Sequence, residues 1–184
     1  MIHRHWFFEH IRQSVFGGRL AQGHVDGLNR ILDEADVRQL DFRHVAYIVA
    51  TAYHETAHTM QPLVEYGMGK GRAYGRPDPA TGHTYYGRGY VQLTWRANYQ
   101  KMERVLGIPL VETPDLALVP EHALQILYEG MIRGLFTGHA LADYFTASST
   151  QWRNARQIVN GRDQAALIGD YAQRVHAALS WTPD

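Results

Sequence analysis

The chain contains no cysteine, which excludes disulfides, thiolate zinc sites and thiol nucleophiles together. It has no excess of either charge, with 18 basic and 18 acidic residues, so a generic nucleic-acid binder drawn to a polyanion is not expected. Long apolar runs are missing too. No stretch approaches the ~20 residues of a membrane span, so no stable membrane insertion is expected. The opening "MIHRHWFFEHIRQSVFGG" has its apolar run, Trp6 to Phe8, cut by Glu9 and His10. That is not the pattern of a secretory signal, and the expected location is the cytoplasm. There is no internal repeat and no low-complexity segment. A length of 184 residues, 45% apolar and 20% charged, suits one globular domain over residues 1–184, expected to be a monomer.

What is present is mostly helical periodicity. Residues 3–16 carry an aromatic face and stop at "FGG", and "AQGHVDGLNRILDEAD" sets Val25, Leu28, Ile31, Leu32 and Ala35 at helical spacing. Asp41 reads as the N-cap of a third helix, in which Val45, Ile48, Val49, Ala52 and Thr56 share a core-facing stripe. Glu55 falls at the edge of that stripe, with His54 and His58 round the back. The helix should fray near Met60, because Pro62 disfavours helical geometry at Gln61.

Residues 62–90 are rich in glycine, tyrosine and arginine and include Pro62, Pro77 and Pro79. They read as a long loop or small hairpin of the functional kind. Helical patterns return in "TWRANYQKMERVLG", in "PEHALQILYEGMIRGLF" with Leu124, Leu127, Met131 and Leu135 in register, in "STQWRNARQIVNG" and in "RDQAALIGDYAQRVHAAL". Gly130 and Gly134 would let a neighbouring helix approach closely.

Within "YHETAHTM", His54-Glu55-x-x-His58 has the spacing by which a helix presents two zinc ligands and a general base. A third ligand is needed. The extended motif would place it close behind, where Gln61 and Val64 stand, and the later candidates Glu121 and Glu129 sit in no recognisable motif. With eleven histidines in the chain, an accidental match is the preferred reading, and no metal or cofactor is expected.

The glutamates offer a different constellation. Hydrolysis of a glycosidic bond needs one carboxyl that gives a proton to the leaving oxygen and one carboxylate acting from the other face. Glu55, flanked by an apolar stripe, suits the acid, because desolvation favours the neutral form. Glu65, near Lys70, Arg72 and Arg88, suits the charged partner. Taken singly, each would more often be a surface charge.

Four stretches together carry a family resemblance. "HET" at 54–56, "LVE" at 63–65, "YYGRGYVQLTWRANY" at 85–99 and "IVNG" at 158–161 resemble, in order, the motifs of the glycoside hydrolase family 19 superfamily. Within it the chain looks most like the short phage and prophage endolysins and less like the plant chitinases. The resemblance runs over roughly residues 40–180 and implies a mainly α, lysozyme-like, two-lobed fold, with a small β/loop region at about 62–94 lining a cleft. It implies Glu55 as general acid, Glu65 as general base on a water in an inverting mechanism, and Thr94 as the hydroxyl that helps hold that water. Gln92, Asn98 and Asn160 match substrate-binding positions, and Tyr86 and Arg88 of the same block are candidate substrate contacts.

Local readings compete. Gln92 and Thr94 alternate about Leu93 as a short strand would, Thr94 could cap the following helix, and Asn160 could form only a helix C-terminal turn. Tyr85, Tyr86 and Tyr90 could be core or rim. The interval from Glu55 to Glu65 is one residue longer than in the endolysins, with Pro62 as the insertion, which makes Asp78 a substitute candidate for the base. Where the plant enzymes carry an arginine that tethers the catalytic glutamates, Leu167 stands here, and Ala97 replaces a cleft tyrosine. The missing arginine keeps open a wall-binding domain with a decayed site.

Chitin and peptidoglycan both present β-1,4-linked N-acetylated sugars. The lack of a signal, disulfides or a carbohydrate-binding module fits an endolysin held inside until it reaches the cell wall. Between Lys70 and Arg96 lie Lys70, Arg72, Arg76, Arg88 and Arg96 against one acid, Asp78, a balance suited to the carboxylates of peptidoglycan. The expected activity is peptidoglycan hydrolysis, with chitinase as the alternative.

Overall fold

The fold is built around one helix that is apolar on every side. In the computed structural model, which describes residues 2–181, α1 (Arg4–Ser14) and α2 (Gln22–Arg38) precede this central helix, α3 (Phe42–Glu55). The periodicity of α2 holds: Leu28, Ile31, Leu32 and Ala35 are buried. Asp41 caps α3 as its sequence position suggests, its carboxylate accepting from the Arg43 amide at 2.8 Å. The expected single stripe on α3 is corrected, however. Every residue from Val45 to Tyr53 is buried, because α7 packs extensively along this helix and α2 and α5 close its other sides. A helix enclosed in this way needs no polar face.

The helix stops at Glu55 rather than near Met60. The buried Thr56 hydroxyl donates to the Ala52 carbonyl at 2.7 Å and accepts from the Met60 amide at 3.0 Å. Ala57, His58 and Met60 all take positive φ, a conformation that costs L-residues energy and survives only where packing imposes it. The imposing neighbour is α2: a Cβ on Gly27 would lie 1.8 Å from the Met60 carbonyl oxygen, so only glycine permits the approach.

Beyond the turn, β1 (Leu63–Val64) pairs antiparallel with β2 (Arg88–Gly89), Leu63 facing Gly89, and the intervening loop carries a 3₁₀ turn at Ala73–Gly75. Then follow α4 (Arg96–Leu106), a 3₁₀ turn at Pro114–Leu118, α5 (Pro120–Ile132), the short α6 (Leu141–Tyr144), a 3₁₀ turn at Asn154–Ile158 and α7 (Ala165–Leu179). The expected helix in "STQWRNARQIVNG" is thus only a 3₁₀ turn. Gly130 does not admit a neighbouring helix either; a Cβ there would meet the Phe136 ring at 1.9 Å, and Gly134, at φ 65°, belongs to the turn after α5. Helices α1, α3 and α7 form one packed group, while α4, α5, the strands and the Pro114–Leu118 turn form another, joined through α3 and α5. No helix among the described residues is long and apolar enough to cross a membrane.

Candidate active site

Glu55 is the last residue of α3, so its side chain leaves the core just where the chain turns. Its carboxylate accepts from Arg156 Nη1 at 2.6 Å, and Arg156 also donates through Nε to the Asp163 carbonyl at 3.0 Å. The arginine side chain is 3% exposed and the glutamate 16%, so the pair is shielded from solvent screening. The expectation of a missing tether is corrected: Leu167 is exposed, and the contact to Glu55 comes from the 3₁₀ turn that precedes α7. The inference of a decayed site loses its motive.

Glu65 follows β1 directly and continues the ladder, its amide donating to the Gly87 carbonyl at 2.8 Å. One carboxylate oxygen accepts from the Gly87 amide at 2.9 Å and the other from the Tyr74 hydroxyl at 2.8 Å. The hydrogen bond to Glu65 is the largest cause of the raised pKa of Tyr74, since losing the phenolic proton would set two anions together. Gly87 leaves room for this contact: a Cβ there would stand 2.8 Å from Gln92 Oε1 and 3.1 Å from the Glu65 Cβ, so an added methyl would displace the Gln92 amide and press on Glu65.

The rest of the "YYGRGYVQLTWRANY" block divides into frame and surface. Arg88 is buried and its guanidinium is spent on protein: Nε on Asp115 at 2.8 Å, and Nη1 on the Thr84 and Tyr86 carbonyls and the Tyr99 hydroxyl at 3.1–3.2 Å. It lies 3.7 Å over the Tyr86 ring, which covers one face of that half-buried tyrosine. Arg88 is therefore corrected from substrate contact to loop scaffold, and Tyr86 offers at most its other face. Tyr85 and Tyr90 are core. Gln92, at φ 52°, reaches the Leu63 carbonyl at 3.1 Å and pins the tip of the block onto β1. The short strand of the competing local reading is only a bridge between Arg88 and Leu93.

Thr94 does not cap α4; that position belongs to Trp95 at φ 69° and ψ 131°. The Thr94 hydroxyl has no protein partner among the described residues, while its carbonyl accepts from Asn98 Nδ2 at 2.9 Å. Asn160 is exposed and accepts from the Gly161 amide at 2.9 Å, the turn geometry of its local reading. Asp78 holds its own turn through Oδ1, which accepts from the Ala80 and Thr81 amides at 3.0 and 3.2 Å, and it shares none of the donors that anchor Glu65.

The histidines part company at the end of α3. His58 lies past the helix, at φ 71°, and stacks on Tyr53 with ring centroids 4.2 Å apart. It therefore shares no helical face with His54, and the zinc geometry does not form. Glu129 is paired with Arg38 at 2.8 Å. His54 stays beside Glu55, and burial pulls its pKa down against the opposing pull of that carboxylate.

Three contributors escaped the sequence reading: Arg156, Tyr74 and Gly87. Arg156 alone left a trace, as a basic residue between the apolar Ala155 and Ile158 of a short periodic stretch.

Solved structures of bacterial and other chitinase chains share this architecture. Chitinase C from Streptomyces griseus HUT6037 matches with TM-score 0.59 at 20% identity, over 100% of this chain and 79% of that one. A mutant form of chitinase C gives 0.60 at 22%, over 100% and 95%. A bacterial family 19 chitinase gives 0.52 at 20%, over 99% and 96%. The fold is the mainly helical one of these chitinases. More particularly, residues 43–127 match the model of glycoside hydrolase family 19, chitinase class I, a span that holds Glu55, Glu65 and the Thr94–Asn98 segment and ends before Arg156. An Arabidopsis thaliana endochitinase is 36% identical over 85 residues, 45% of this chain and 30% of that protein. An inactive chitinase-like protein from Hevea brasiliensis is 40% identical over 53 residues, 27% and 17% of the two chains. The chain thus spans less than a third of the length of these curated relatives. Both are plant proteins, one named an endochitinase and the other an inactive chitinase-like protein.

Proposed function

We propose that the chain is a glycoside hydrolase that cleaves β-1,4-linked N-acetylated glycans by inversion, with Glu55 as general acid, Glu65 as general base and Thr94 orienting the attacking water. The observation that carries this reading is the separate anchoring of the two glutamates, Glu55 by a buried arginine and Glu65 by a phenol and a backbone amide. Surface charges taken singly would not be held by three fixed donors from distant parts of the chain. Each donor also fixes one carboxylate rotamer, which is what positioning for proton transfer requires.

The matched family stretch supports chitin as the glycan. One observation favours a second reading, peptidoglycan: Lys70, Arg72 and Arg76 are all exposed on the loop that follows Glu65, where acidic substituents of a strand would meet them. In that case the enzyme would act after release to the cell wall.

Digestion of colloidal chitin and of purified peptidoglycan by wild type, Glu55→Gln and Glu65→Gln, with products resolved by mass and anomeric configuration by NMR, tests the assignment. Both variants should lose at least about a hundredfold in kcat, within the range for a lost general acid or base, and the first product should be the inverted anomer. Chelator should change nothing. Full activity in Glu65→Gln, or a retained anomer, would remove Glu65 from the role of base.

A further inference from the structure

Beside Glu65 lies an open groove of about 340 Å³ whose lining includes Tyr74, Arg76, Asp78, Tyr85, Trp95 and Arg96, at the small end of the ~300–1,000 Å³ usual for ligand sites. Trp95 is its most unusual member. The residue holds φ 69° and ψ 131°, fixed by its amide on the Tyr85 carbonyl at 2.9 Å and by its carbonyl receiving the Asn98 amide at 2.9 Å. That backbone directs a large apolar ring outward, 50% exposed, where burial would have been the favourable course. One edge of the indole is supported by Tyr74, with centroids 5.2 Å apart at 74°. Tyr74 in turn donates to Glu65 at 2.8 Å, so groove and carboxylate share a wall.

Charge in the groove is unbalanced. Arg76 is exposed, and Arg96 reaches Asp78 only at 3.6 Å while its Nε is buried without a hydrogen-bond partner. Asp78 already accepts from two amides and, at 3.4 Å, from the Thr81 hydroxyl. Two guanidinium groups therefore face a single carboxylate, engaged through its Oδ1 alone, so one positive charge of the lining has no counter-charge there, and acceptor oxygens of a ligand would complement it.

We propose that this groove is a sugar subsite that selects an acidic residue of the glycan strand, the indole of Trp95 carrying the apolar face of the ring and Arg76 with Arg96 receiving its carboxylate. The ligand class is an N-acetylated hexose bearing an ether-linked carboxylate substituent, in preference to plain N-acetylglucosamine. The assignment takes the peptidoglycan reading above over the chitin one; it rests on the glycosidase reading for its place beside the reacting bond, but not for the binding itself.

Calorimetric titration in the Glu55→Gln background separates the two. The probes are a neutral N-acetylglucosamine oligomer and a soluble, peptide-free strand of equal length in which every second sugar carries a lactyl carboxylate. The acidic strand should bind at least tenfold more tightly at low salt, with the preference shrinking as salt rises. Arg76→Gln with Arg96→Gln should abolish the preference and leave the neutral oligomer within twofold. Trp95→Gly, which suits the positive φ and so protects the fold, should weaken both ligands by about tenfold. Equal binding of the two probes by the parent, or a preference that survives the double arginine variant, overturns the proposal. If the preference is present yet wild type cuts neither polymer, the subsite stands and the hydrolase reading fails.

Discussion

At the scale of single residues, Arg156 carries the largest consequence. Removing one partner of a shielded ion pair leaves the other charge without compensation, which costs about 3–5 kcal/mol when burial is complete. Glu55 keeps some solvent contact, so Arg156→Met should cost about 3 kcal/mol, toward the lower end of that range. Urea denaturation measures it. In the same variant kcat should fall more than KM rises, because the carboxyl would be free to leave its rotamer, and Arg156→Lys should restore part of the stability but little of the rate. A variant that unfolds more easily but keeps kcat would reduce Arg156 to scaffold.

Tyr74 and Gly87 give a milder pair of tests at Glu65. Tyr74→Phe removes one charge-assisted hydrogen bond and should lower kcat by about tenfold, equivalent to ~1.4 kcal/mol. Gly87→Ala should do at least as much, since its added methyl would press on Gln92 and on Glu65 itself. Parallel measurements of melting temperature tell displacement of the carboxylate from general unfolding. A Gly87→Ala enzyme with wild-type kcat would show that Glu65 need not be held where it is.

At the scale of elements, the α3 terminus decides what the His-Glu-x-x-His pattern means. Thr56 links two backbone groups through one hydroxyl. Thr56→Val keeps the shape but leaves the Met60 amide unpaired in the interior, so a loss of about 1–3 kcal/mol in urea denaturation is expected. The early stop was illegible in the sequence for a physical reason. Pro62 marks the latest point at which a helix can run, whereas the actual stop depends on α2 approaching through Gly27, a contact no local window contains. Likewise the stripe on α3 was readable, but not its burial all round, because that is a property of three neighbours. Helices α1, α2, α4, α5 and α7 were legible because each packs one face and ends at a glycine, a cap or a polar break. The proposal for Glu55 and Glu65 starts from motifs within the sequence, yet Arg156 lies 101 residues from the carboxylate it holds. Arg88 shows the opposite error. A conspicuous cation within a motif looked available to substrate, and only the closure of the loop onto Asp115 and Tyr99 reveals it as spent.

For the whole molecule, acid sensitivity follows from where the helical core puts its histidines. His44 and His54 on α3 and His176 on α7 all have pKa values pulled below the ordinary 6.5, in each case chiefly by burial. The Asp41, Glu55 and Asp163 carboxylates oppose the shift, while Arg43 and Arg156 reinforce it. Between the lowered values and 6.5 the unfolded chain binds more protons than the folded one, so stability rises with pH across that interval. The contribution is complete above about 6.5 and is lost as pH falls through the folded values. Asp41, with a pKa lowered from 3.8 chiefly by its hydrogen bond from Arg43, acts only at lower pH, so the two effects separate. The urea midpoint should be flat from pH 8 to 7 and should decline from about 6.5 toward 5. His44→Gln with His176→Gln should make that decline shallower and leave the share of His54, since neither replaced residue contacts the glutamate pair and the amides carry no titrating charge. A midpoint that rises on acidification through this range would mean that the histidines gain protons favourably on folding, and that the carboxylates beside them, not burial, set their charge.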